Sequence, residues 1–277
     1  MDVVETETAR IPTVGLGTWQ NTGTECTQTV RTALETGYRH IDTAQQYDNE
    51  NAVGRGLEQA EVERDEIFLT TKLWRSNLHY DDVIESVEES LGRLQVDYID
   101  LLLIHWPHPR VPVEETLEAM VELSNRGMIR HIGVSNFTLP QLKTARELSE
   151  MPVVVNQVLY HPYKKQSALQ QYCARHGIAL TAYSPLARGD VLTDAVLKRI
   201  GDRYNRSPAQ VSLRWLVQQD SVVAIPKASS REHLTQNVDI FDFSLTGEEM
   251  RRINDRTGPV RVRLRNKLPR LVRRIPV

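Results

Sequence analysis

Asp42, Tyr47, Lys72 and His105 are the residues of this chain whose types and placement could do chemistry together. Asp42 and Tyr47 share the run Gly37-Tyr-Arg-His-Ile-Asp-Thr-Ala-Gln-Gln-Tyr-Asp-Asn-Glu50. Lys72 closes the apolar run that starts at Ile67, and His105 closes the one that starts at Ile99. Three strand-like runs thus each end on an ionisable group, with a phenol close behind the first. A phenol is a poor acid at neutral pH, but a nearby ammonium stabilises the phenolate and lowers its pKa. Lys72 can supply that charge, and Asp42 can hold Lys72 in place and keep it ionised. Tyr47 could then protonate a developing alkoxide while His105 hydrogen-bonds the same oxygen. Such a group suits reduction of a C=O bond by hydride, without a metal. Taken singly, Asp42–Lys72 could be only a buried ion pair and His105 a core histidine. All four arriving at one face favours the catalytic reading.

The elements that must carry them follow from the pattern of apolar residues. Eight short β-rich runs recur, at Thr13–Leu16, Tyr38–Asp42, Ile67–Lys72, Tyr98–His105, Ile129–Ser135, Val153–Gln157, Ala179–Tyr183 and Val222–Ile225. Between them lie segments of helical period, such as Val83, Val87, Leu91 and Leu94. Thr24, Asp81, Thr138 with Pro140, and Ser207 with Pro208 mark helix starts, and Gly37 and Gly177 mark helix ends. Apolar strands alternating with helices predict a parallel sheet covered by helices. Eight repeats in a chain of this length predict a closed α/β (β/α)8 TIM barrel, with an open α/β sheet as the alternative. No linker divides the chain, so residues 1–256 are expected to form one catalytic barrel domain. Active sites of such barrels form at the C-terminal strand ends, where Asp42, Lys72 and His105 fall.

Composition excludes several classes. The chain has 277 residues, 40% hydrophobic and 25% charged, with a mean hydropathy of −0.41. Its apolar runs are strand-sized, far short of a membrane span, and the acidic N-terminus does not resemble a signal peptide. Cys26 and Cys173 are the only cysteines. Two isolated thiols fit a reducing compartment, and a cytoplasmic location is expected. All 36 acidic residues precede position 256, along with 26 of the 34 basic ones. The tail beyond is therefore purely basic.

Three stretches together resemble the aldo-keto reductase family, and the resemblance covers nearly the whole chain. They are Gly37 to Gly54, Met128-Ile-Arg-His-Ile-Gly-Val-Ser-Asn-Phe137, and Ile225-Pro-Lys-Ala-Ser-Ser-Arg-Glu-His-Leu-Thr-Gln-Asn237. The resemblance implies a (β/α)8 barrel reducing aldehydes and ketones with NAD(P)H. The family's tyrosine acid, lysine, aspartate and histidine fall on Tyr47, Lys72, Asp42 and His105. A glutamate in place of His105 would imply C=C reduction of steroids, so the histidine argues for carbonyl reduction.

Gly15-Leu-Gly17 and Gly54-Arg-Gly56 lack the third glycine of a dinucleotide fingerprint and are expected to serve turns and helix packing. The resemblance instead implies a cofactor lying across the barrel mouth. Ser135, Asn136 and Gln157 would bind its carboxamide, and Tyr183 would stack on the nicotinamide. Ser184, Leu186 and Arg188 would line the pyrophosphate side. Lys227, Ser229, Ser230 and His233 would meet the 2′-phosphate at a helix start, with Gln236 and Asn237 at the adenine edge. Ala228 stands where the family has a serine, and His233 where it has an arginine. A histidine lacks the permanent fork of charge that an arginine offers. A weak preference for NADPH is therefore expected, with NADH usable.

Trp19, Trp74 and Trp106 follow strand ends and could line an apolar substrate pocket, or merely pack the rim. His108 pairs with His105 in an H-x-x-H spacing but has no third ligand in the pattern, so no metal is expected. The expected partner is a small carbonyl compound, with no nucleic acid, no stable membrane insertion and a monomeric protein. The basic tail, residues 257–277, is the part least like the family and is expected on or near the barrel mouth. It could fold back on the acidic body, place Arg261 or Arg263 near an anionic substrate, or form a basic patch for lipid or nucleic acid. A non-catalytic, cofactor-sensing or structural member of the same fold is the rival to an enzyme.

Overall fold

The computed structural model describes residues 2–256, so the basic tail lies outside the described residues. The chain opens with a small antiparallel pair, β1 (Val3–Glu5) and β2 (Arg10–Pro12). Eight parallel strands follow: β3 (Leu16–Gly17), β4 (His40–Asp42), β5 (Phe68–Leu73), β6 (Ile99–Ile104), β7 (Ile129–Ser135), β8 (Val153–Leu159), β9 (Ala179–Tyr183) and β10 (Val222–Ile225). They hydrogen-bond in sequence order. The ring closes where Val14 bridges Ala224 in parallel. There Ala224 N–H donates to Thr13 O and Gly15 N–H to Ala224 O, each at 2.9 Å. The expected (β/α)8 barrel is thus what the chain forms.

The helices α1 (Gly23–Glu35), α2 (Glu50–Glu58), α3 (Tyr80–Leu94), α4 (Val113–Asn125), α5 (Leu139–Leu148) and α6 (Ser167–Arg175) each follow one strand. The last two units carry two helices each, α7 (Ala195–Tyr204) with α8 (Pro208–Val217), and α9 (Arg231–Val238) with α10 (Gly247–Asn254). Helical apolar faces and outward strand residues make one large core layer, with Val83, Val87 and Leu94 of α3 all buried in it. A second, inner cluster fills the barrel with Ile11, Phe68, Leu101, Leu103, Val155, Ala179 and Val223. Ile11 belongs to the N-terminal hairpin, which therefore plugs the barrel floor. Strands of three residues carry no readable period, and the hairpin was not expected from the sequence.

The glycine pairs serve packing and not phosphate. A Cβ on Gly15 would lie 2.6 Å from His40 Nδ1, and one on Gly17 would lie 2.8 Å from Ile225 O, both at the closing seam. A Cβ on Gly54 would lie 2.4 Å from Leu94 O, and one on Gly56 would lie 2.7 Å from Val30 Cβ, so both allow α2 to approach its neighbours. Thr138 and Ser207 cap α5 and α8 with full capping boxes, as expected. Two helix starts differ from expectation. Helix α1 begins at Gly23 and α3 at Tyr80. The Glu115 carboxylate of α4 accepts the Tyr80 N–H at 3.1 Å, so the cap of α3 comes from elsewhere in the chain.

Candidate active site

The barrel brings the four ionisable residues together. Asp42 ends β4, Lys72 lies one residue short of the end of β5, and His105 follows β6. Tyr47 ends a single 3-10 turn, Gln45–Tyr47, that folds back over β4. Lys72 is wholly buried, at 0% exposure. Its ammonium donates to Asp42 Oδ1 at 2.5 Å and to Thr43 O at 2.6 Å. It lies 5.0 Å from the centroid of the Tyr47 ring. The other Asp42 oxygen accepts Gln157 Nε2 at 2.7 Å. The Tyr47 and His105 rings meet edge to face, centroids 5.7 Å apart.

Burial pulls the Lys72 pKa down, while the charge and hydrogen bond of Asp42 pull it back up. Burial, and then the Asp42 carboxylate, push the Tyr47 phenol well above its ordinary range. The lowering expected from Lys72 does not outweigh these two effects in the free site, where Asp42 offsets the ammonium charge. Burial, and then the charges of Lys72 and Arg75, hold the His105 imidazole well below its ordinary pKa. At neutral pH the site thus presents a protonated phenol and a neutral imidazole. His105 Nδ1 is buried with no hydrogen-bond partner.

The polar residues of β7 and β8 join this group directly. Ser135 Oγ donates to Gln157 O at 2.9 Å, and Asn136 Nδ2 donates to Ser135 Oγ at 2.9 Å and to His105 O at 3.0 Å. The Tyr183 hydroxyl donates to Asn136 Oδ1 at 2.9 Å. Asn136 holds a left-handed backbone, φ 64°, which turns its amide back across the strand ends. Beyond β9, Ser184, Ala187 and Arg188 also have positive φ, so a strained loop carries Ser184, Leu186 and Arg188 past the mouth.

The outer set is spread along the rim. Lys227 Nζ donates to Gln20 O at 2.9 Å, which ties the end of β10 to the loop after β3. Ser229 is exposed, and Ser230 caps α9 by accepting the His233 N–H. Arg231 turns away to Glu35, at 2.5 Å. Ala228 is buried and offers no hydroxyl. Gln236 donates to Glu232 at 3.1 Å, whereas Asn237 is buried near Tyr38, whose hydroxyl donates to Leu234 O at 3.1 Å. Of the tryptophans, Trp74 meets the His105 ring edge-on at 5.3 Å. Trp19, 40% exposed, has the Arg188 guanidinium 5.0 Å over its ring, and Trp106 has that of Arg75 at 5.5 Å. His108 Nδ1 accepts the N–H groups of Arg110 and Val111, a turn-closing role.

Sequence reasoning missed two supporting residues. Gln45 Oε1 accepts the Trp74 N–H at 2.8 Å and Asn77 Nδ2 at 3.2 Å, while its amide nitrogen donates to Ser86 O and Ser90 Oγ. It fastens the turn bearing Tyr47 to the loop after β5. Glu50, fully enclosed, accepts from Thr71, Ser90 and Arg93 and adds negative charge near Lys72. Their place inside the first signature was the available sign.

The sequence pattern of the Aldo/keto reductase family matches residues 13–256. The chain belongs to this family. This aldo-keto reductase is 42% identical over 255 residues to a glyoxal reductase of Bacillus subtilis (strain 168), covering 90% of this chain and 92% of the relative. It is also 42% identical over 246 residues to a methylglyoxal reductase of Escherichia coli O157:H7, covering 88% and 92%. A solved aldo-keto reductase of Bombyx mori in complex with NADP superposes with a TM-score of 0.85 at 36% identity, covering 91% of each chain.

Proposed function

We propose that this aldo-keto reductase reduces small aldehydes and ketones to alcohols, reversibly, with Tyr47 as proton donor and NADPH as the preferred cofactor. The observation that carries the reading is the Tyr47 phenol edge-on to the His105 imidazole, centroids 5.7 Å apart, with the buried Lys72 nitrogen 5.0 Å from the phenol ring and held by Asp42. When bound, the nicotinamide supplies hydride to the carbonyl carbon. Tyr47 gives its proton to the carbonyl oxygen as negative charge grows there. Lys72, held by Asp42 and the Thr43 carbonyl, stabilises the phenolate left behind. His105 orients the oxygen. Its Nδ1 is buried without a partner, which costs less as a bare lone pair than as an N–H. The proton then belongs on Nε2.

The residues present fit the dinucleotide. Ser135, Asn136 and Gln157 gather amide and hydroxyl groups beside the phenol, and the half-buried Tyr183 ring stands next to them. Lys227 and the capped start of α9, with Ser229 and Ser230, suit a phosphate. Gln236 stands nearby at the adenine edge. Asn237, being buried, is the less accessible of the two. With Arg231 committed to Glu35 and a histidine at position 233, little fixed charge remains for a 2′-phosphate. A weak preference for NADPH, with NADH usable, follows. The names of the two relatives place small dicarbonyls such as methylglyoxal among the first substrates to try. Following NADPH oxidation with a panel of aldehydes, Tyr47→Phe is expected to lose about 100- to 10,000-fold in kcat while keeping the wild-type Tm. Cofactor binding without turnover of any carbonyl by the wild type would support the non-catalytic rival.

A further inference from the structure

Arg75 is a cation at the mouth that no carboxylate among the described residues pairs with. It is exposed, and among the described residues it makes no ion pair; its contact is with the face of Trp106, 5.5 Å from the ring centroid. Stacking on an aromatic face holds a guanidinium while leaving its edge N–H groups free to fork onto a carboxylate. Its charge helps to keep the His105 imidazole neutral, so it acts within reach of the reacting group. Its position is fixed relative to the proton donor as well. Asn77 N–H closes the Trp74–Asn77 turn onto Trp74 O at 2.9 Å. Gln45 then holds that turn by both Trp74 N–H and Asn77 Nδ2. Gln45 also begins the turn that ends in Tyr47. The phenol and the guanidinium therefore ride on one hydrogen-bonded unit.

We propose that this site favours carbonyl compounds that also carry a carboxylate, and that Arg75 binds the carboxylate while the carbonyl faces Tyr47 and His105. The proposal rests on the carbonyl-reducing reading of the same site. It adds a substrate class and a specificity residue.

The test compares 4-carboxybenzaldehyde with its neutral methyl ester, using NADPH, wild type and Arg75→Gln. The wild type is expected to favour the acid by about tenfold or more in kcat/KM, mainly through KM. Arg75→Gln is expected to erase that ratio and to leave the ester within about twofold. Raising salt should shrink the ratio in the wild type alone. A wild type indifferent to the carboxylate, or a variant that loses both substrates equally, overturns the proposal. A second arm needs no turnover. Benzoate and benzamide are titrated into the protein and followed by tryptophan fluorescence, with Arg110→Gln as the control arginine. Benzoate binding that depends on Arg75 and not on Arg110 supports the anion site even if no carbonyl is reduced, in which case the reductase reading falls alone. Carbonyl reduction with benzoate binding indifferent to Arg75 sinks the proposal and spares the reductase.

Discussion

At the mouth of the barrel Asp42 faces one wholly enclosed ammonium, while at the floor Asp100 faces two arginines that reach water. Asp100 accepts from Arg64 at 2.7 Å, from Arg130 at 3.2 Å and from the Leu69 N–H at 3.0 Å. The two guanidiniums lie 4.1 and 3.8 Å from the centroid of the Tyr98 ring. Both oxygens of the floor carboxylate have partners, and the two arginines among them stay partly hydrated, although Arg64 Nε itself is left without one. The mouth instead leaves a phenol and an imidazole nitrogen without full partners around a buried pair. Similar charges thus form a staple at one end and the centre of the proposed active site at the other. The degree of enclosure makes the difference, because a charge without water must keep its partner.

The sharpest way to break this contrast is to remove each carboxylate in turn. Asp42→Ala strands Lys72 in the interior and is expected to cost about 3–5 kcal/mol by urea unfolding, with loss of turnover. Asp100→Ala is expected to cost only about 1–2 kcal/mol, chiefly the orphaned Leu69 N–H, because its arginines can rehydrate. Equal losses, or an Asp100→Ala protein without turnover, would falsify the contrast.

Acid should act on both ends at once. Burial holds His40 at the floor down to about 4 from 6.5, and holds His105 at the mouth well below 6.5. Both folded-state values lie below the unfolded one, so the unfolded chain takes up protons first as pH falls. Stability is then full above pH 6.5 and declines below it. For His40 alone the loss between pH 6.5 and about pH 4 is of order 3 kcal/mol. His40→Gln should flatten the dependence of Tm on pH in that window, and an unchanged slope would count against it. The rate of reduction should show no inflection near pH 6.5, since His105 is already neutral there. Smallest is the rim. His233→Arg is expected to raise the preference for NADPH over NADH by about tenfold, measured as a ratio of kcat/KM values.

Much of the mouth could be read in advance because its residues sit at strand ends inside continuous runs. Asp42, Lys72 and His105 each close an apolar stretch, and Tyr47 follows five residues after the first. The floor could not be read in this way. Asp100, Arg64 and Arg130 stand far apart in sequence and in no shared pattern, and the plugging hairpin is too short to show a period. The same limit explains the start of α3, whose cap is supplied by Glu115. It also explains the phenol. The sequence offers an ammonium near Tyr47, but the net field depends on Gln157 and Thr43 fixing Asp42 and Lys72 against each other.

The closing seam has a consequence for how the chain reaches this state. Val14 has no strand partner on its open side until Ala224 arrives, so a nascent chain carries an unpaired first strand through most of its synthesis. Asp42 likewise waits for Gln157 before its second oxygen is held. Pairings between such distant residues slow folding and prolong the exposure of strand edges. The Asp42–Lys72 pair is therefore enclosed late, and a chain stalled before β10 would hold Asp42, Tyr47, Lys72 and His105 without the closed ring around them.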